Sequence, residues 1–110
     1  MTEPSAQLID RCRVLAARLN MAVVSFQMQP VSIDTANVAL TADSAHRNAT
    51  IHARYAEMYA EAKLKWRAEF ATELDVVCNA LAQAGNTLLR PPMDWDVPSM
   101  KQTARILAAI

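Results

Sequence analysis

Two histidines, two cysteines and two pairs of glutamates at four-residue steps are the residues of this chain best suited to chemistry. His46 and His52 sit six positions apart. At about 100° per residue they leave a helix in directions about 120° apart, so they cannot share one metal ion. Asp43, three positions before His46, supplies a weak metal-like spacing, which reads better as a helix N-cap beside a surface histidine. Glu57 and Glu61, then Glu69 and Glu73, form two pairs at four-residue steps. Di-iron bundles also place glutamates on helices, but they add Glu-x-x-His pairs, and this sequence has none. The four glutamates read as solvated ion-pair faces. Glu69 and Glu73 fall near an apolar stripe, where it opens to water or meets a partner's cations.

The sequence has no Gly-rich phosphate loop, no G-x-S-x-G turn, no H-E-x-x-H and no C-x-x-C. The expectation is a protein with no catalytic residues, no metal and no cofactor. Cys12 and Cys78 are too few for a disulfide framework. Both lie in apolar helical segments, where a thiol behaves as a small hydrophobe.

What remains are candidates for binding. Arg47 and Arg54 are seven positions apart and point the same way, with Lys65 further along that side. This is a solvated cationic face, or one that touches a protein or nucleic acid. Asp94-Trp95-Asp96, between prolines, is the most distinctive short feature; its Trp either folds over its own bundle or anchors a partner, as Trp often does at interfaces. Tyr59 and Trp66 stand on the apolar side of the longest helical stretch. The candidate partner-binding residues are therefore Arg47, Arg54, Tyr59, Lys65, Trp66, Asp94, Trp95 and Asp96.

The element that must position them runs from about residue 43 to 84, some forty residues without Gly or Pro, and stops at Gly85. Ile51, Tyr55, Met58, Tyr59, Ala62, Trp66, Phe70, Leu74, Val77, Leu81 and Ala84 recur at steps of mostly three and four, the spacing of a buried helical stripe. Repeated four-residue steps make this stripe drift round the helix. Asp43 or Ser44 can cap the start, and Gly85 can take the left-handed conformation that ends it. An arm this long is the expected scaffold for everything else.

An N-terminal helix is expected over about 3–28, with Leu8, Cys12, Leu15, Leu19, Ala22 and Phe26 inward at heptad spacing. Its last part is ambiguous, since Val24, Phe26 and Met28 also alternate like a strand. The alternative is an α+β fold with a small hairpin in 22–41. Pro30 ends either form and holds Gln29 extended. Val31 to Ala42 reads as a short second helix. Three prolines near residues 91–98 keep that stretch extended, and Ser99 reads as the cap of a short C-terminal helix ending at Ile110. The expected fold is all-α: one small helical bundle over 1–110 built on the long helix.

Composition narrows the function. Eleven basic and eleven acidic residues give zero net charge, whereas a dedicated nucleic-acid binder usually carries a basic excess. The chain begins with neither the basic nor the apolar part of a signal peptide, and no apolar run nears the roughly 20 residues needed to span a bilayer. The expected location is cytoplasmic. Tyr55, Met58, Tyr59, Trp66 and Phe70 are many large groups for three shorter helices to cover. Surplus apolar surface points to a protein partner or a homodimer. The expected function is a non-enzymatic protein-binding or assembly module: an adaptor, an assembly chaperone or an inhibitor of the phage or plasmid type. The alternative is a nucleic-acid-binding protein using the Arg47/Arg54/Lys65 face.

Overall fold

The computed structural model describes residues 5–29, 44–85 and 93–110, and for residues 44–47 the backbone alone. Three α-helices and no strand occur among the described residues: α1 (Ala6–Met28), α2 (Ser44–Gln83) and α3 (Val97–Ala108). The fold is all-α, as the periodicities require. The expected short helix over 31–42 and the Asp43 cap lie outside the described residues.

Each helix boundary has a local cause. α1 starts at Ala6, a little later than the expected residue 3, because Ser5 is the N-cap and its hydroxyl accepts the Leu8 amide at 3.1 Å. The helix then runs unbroken through Asn20 to Met28. The hairpin alternative therefore fails over 22–28, and the rest of that segment is not described. The alternation of Val24, Phe26 and Met28 arises because Phe26 faces inward while its two neighbours face outward. Gln29 is extended, with ψ 127°, as a residue preceding proline must be. α2 stops where Gly85 adopts φ 81°, a conformation open to glycine without a Cβ clash.

The N-cap of α3 is Asp96, not Ser99. Its carboxylate accepts the Ser99 amide at 2.9 Å. Pro98 lies in the first turn, where a missing N–H leaves nothing unsatisfied, and so the helix can begin at Val97, two residues before the serine. Its end is Ala108, with Ala109 as C-cap.

At about 1.5 Å per residue, the forty residues of α2 span about 60 Å, which sets the long axis of a molecule measuring 66 × 20 × 20 Å. α1 lies antiparallel to it: Arg11 meets Glu73, Arg18 meets Glu69, and Phe26 meets Trp66, Tyr59 and Tyr55. α1 is also the principal neighbour of α3, whereas α2 and α3 approach each other little. The long helix sets the length, but the N-terminal helix is the centre of the packing. One core joins all three: Cys12, Leu15, Leu19, Val23 and Phe26 from α1, Trp66, Phe70, Leu74, Val77 and Leu81 from α2, and Met100, Ala104 and Leu107 from α3, with Trp95 beside them.

Candidate protein-contact surface

The large groups expected to be in surplus on α2 are mostly covered. Met58, Trp66 and Phe70 are buried and Tyr59 is half-buried. Phe26 does much of this, standing 5.5 Å from the Trp66 ring and 5.4 Å from Tyr59, centre to centre. Such tilted and edge-on pairs suit the aromatic quadrupoles. Ile51 and Tyr55 remain exposed on α2.

Leu64 and Val76 of α2 are exposed as well, Leu64 at 70%, but they stand on different sides of the helix; the uncovered apolar residues that line up in one row lie on α1. Val14, Met21, Val24 and Met28 are 50%, 67%, 46% and 79% exposed, and Ala17 is exposed between them. These five residues follow at steps of three, four, three and four. They make a second apolar stripe, opposite the one that enters the core. α1 is thus apolar on two faces. The signal was present in the sequence, but it becomes legible only once the helix is known to continue to Met28. Read as a strand, Val24 and Met28 are grouped with Phe26 and the stripe vanishes.

Beside this stripe a groove of about 580 Å³ opens between α1 and α2. Met21 belongs to both features. The floor is Ala22, Phe26, Met58, Ala62, Trp66 and Phe70, and the rim carries Arg18, Arg54, Glu61, Lys65 and Glu69. The structure thus brings three expected partner-binding residues, Arg54, Lys65 and Trp66, to one groove. Two of the rim's cations face acids: Arg18 lies 3.8 Å from Glu69 and also 5.2 Å from the centre of the Phe70 ring, and Arg54 bridges Glu57 at 3.0 Å. Glu73 receives Arg11 at 3.0 and 3.2 Å. The cations that meet Glu69 and Glu73 come from the chain's own α1.

Of the other expected residues, Tyr59, Trp95 and Asp96 are engaged within the fold. The Tyr59 hydroxyl accepts the Val97 amide at 2.6 Å, and Lys63 lies 5.2 Å over its ring. Trp95 is buried, with φ 60°, a left-handed backbone uncommon outside glycine. Asp96 caps α3, and hydrogen bonds from Ser99, side chain first and amide second, hold its carboxyl below the ordinary range. Asp94 is exposed. The side chain of Arg47 lies outside the described residues.

Cys12 is fully buried on α1 and Cys78 half-buried on α2, and no disulfide joins them. Burial, and then the neighbouring Cys78, push the Cys12 thiol up, which keeps it protonated and a poor nucleophile. His52 is exposed. Among the described residues no group of three or more His, Cys, Asp or Glu is placed to hold a metal ion, and no helix is long and apolar enough to cross a membrane. Comparison with protein-family models, with curated proteins and with solved structures found no match to this chain.

Proposed function

We propose that this is a non-enzymatic protein-contact module, an adaptor, assembly chaperone or inhibitor that acts by direct binding to another polypeptide. The observation that carries this reading is the outer stripe of α1: Val14, Ala17, Met21, Val24 and Met28 exposed along one line of a helix whose other face is already in the core. Single exposed apolar residues need no explanation, but a contiguous row ending beside an apolar-floored groove is what interaction sites present. The nucleic-acid alternative through Arg47, Arg54 and Lys65 is the weaker reading, because Arg54 is paired with Glu57 and the groove rim carries acids between its cations.

The test is a comparison of two immobilised proteins, the unmodified chain and Met21→Glu, in extracts of the native host. Met21 is exposed, so the variant is expected to keep the fold, and equal helicity by circular dichroism is the control. The expected result is a protein retained by the first and lost from the second. Identical retention profiles contradict the reading. Binding to random duplex DNA that weakens steeply with salt would favour the nucleic-acid alternative.

A further inference from the structure

The geometry points to a second copy of this chain as the occupant of the outer stripe, its α1 laid antiparallel across the first. This rests on the protein-contact reading above and names the contact. Steps of three, four, three and four suit a neighbouring helix running alongside, since they keep one seam in line over successive turns.

Size and charge choose the orientation. In an antiparallel pair with its twofold axis between Met21 and Val24, Met21 meets Val24 of the second copy, and Ala17 meets Met28 of the second copy. A short side chain then faces a long one, and the symmetry repeats each contact. The seam is edged by Arg13, Asn20 and Gln27 on one side and by Arg18 and Ser25 on the other, all exposed. Antiparallel pairing sets Asn20 beside Gln27 and Arg18 beside Ser25 of the second copy. Parallel pairing sets Arg13 against Arg18 of the second copy, twice, and stacks Ala17 on Ala17.

The same edges favour a copy over an acidic partner. Asn20, Ser25 and Gln27 donate and accept, so they can satisfy one another. Arg18 already has Glu69 and the Phe70 ring within its own chain, which leaves little call for a partner's acids there. Zero net charge removes any long-range repulsion between copies. Four stripe residues per copy, from Ala17 to Met28, pair in this register, a contact of about 1,000 Å² at most, below the usual size of specific interfaces, so the expected dimer is weak and reversible.

Sedimentation equilibrium from about 5 to about 500 µM, a range that brackets a weak dimer, tests it. The unmodified chain is expected to rise from 12.1 kDa toward twice that mass, while Met21→Glu stays at the monomer mass with unchanged helicity. A flat monomer mass for the unmodified chain overturns the proposal, and so does a Met21→Glu chain that dimerises equally. Orientation is read by mild oxidation of Ala17→Cys, of Met28→Cys and of their mixture, with the unmodified chain as the blank for Cys12 and Cys78. Faster cross-linking in the mixture is expected; either variant alone cross-linking as fast as the mixture overturns the antiparallel pairing. If the chain is monomeric yet Met21→Glu loses a captured host protein, self-pairing fails and the contact reading stands. If neither effect occurs, both fail.

Discussion

The Tyr59 hydroxyl of α2 accepts the first amide of α3, that of Val97, at 2.6 Å. Helix N-termini leave four amides without helical partners, and here another helix supplies an acceptor for one of them. The same ring touches Phe26 of α1. One residue thus ties all three helices together at the end where α3 begins.

Tyr59→Phe keeps the ring and removes the acceptor. The expected loss is about 1 kcal/mol, read as a fall of about 4–8 °C in melting temperature for a domain of this size. Tyr59→Ala should lose more, because the Phe26 contact goes as well. Equal melting temperatures for Tyr59→Phe and the unmodified chain would show that the hydrogen bond contributes nothing.

Asp96 makes a pH prediction whose sign is set by its cap. Its folded value lies below the ordinary 3.8 because Ser99 hydrogen-bonds its charged form. The contribution is complete above that ordinary value and is lost as pH falls through the lower, folded one. Asn caps a helix about as well but does not titrate. The advantage of the unmodified chain over Asp96→Asn should therefore be constant near neutral pH and shrink below about pH 4. A melting-temperature difference that widens on acidification would contradict the sign. Asp96→Ala should cost about 1 kcal/mol at neutral pH.

Trp95 couples a buried ring to a strained backbone. Its φ of 60° costs an L-residue roughly 1 kcal/mol, and burial of the indole offsets it. Trp95→Ala removes the ring and keeps the strain, for a loss of about 3–5 kcal/mol. Trp95→Gly removes both and should melt higher than the alanine variant by about 1 kcal/mol of stability. The reverse order, measured by denaturant unfolding, would rule out the left-handed backbone at this position.

Arg11 and Glu73 show what the surface pairs do not do. Their contact is close, yet the side chains are 48% and 35% exposed, and such pairs contribute about 0–1 kcal/mol. Arg11→Ala should shift the denaturation midpoint only slightly, and raising the salt should reduce even that. A loss above about 2 kcal/mol would mean that register between α1 and α2 depends on this pair rather than on the core.

The buried face of α2 was legible because its stripe is long, flanked by a glycine stop and free of competing patterns. The inner stripe of α1 was legible from Cys12 to Leu19 by its heptad steps, and only beyond Asn20 did a competing strand alternation obscure it. The centrality of α1 was not, because helix length does not reveal which helix lies between the other two. Nor was the Asp96 cap: Ser99 and Asp96 are both good caps in isolation, and tolerance of Pro98 in a first turn decides between them. Trp66 was picked out apart from Arg54 and Lys65, and only the antiparallel placement of α1 brings the three round one groove. The outer stripe was hidden by overlap, since Val24 and Met28 share their alternation with an inward Phe26.

The most direct measurement is methyl NMR of the methionines with a soluble paramagnetic agent, at low and at high protein concentration. In dilute solution the Met21 and Met28 methyls should broaden strongly, while those of Met58 and Met100, which are buried, should not. At high concentration Met21 and Met28 should become protected and the buried pair should stay as it was. Met21 shielded even in dilute solution, or equally broadened at every concentration, would contradict an outer face of α1 that is open in the monomer and covered by a second copy.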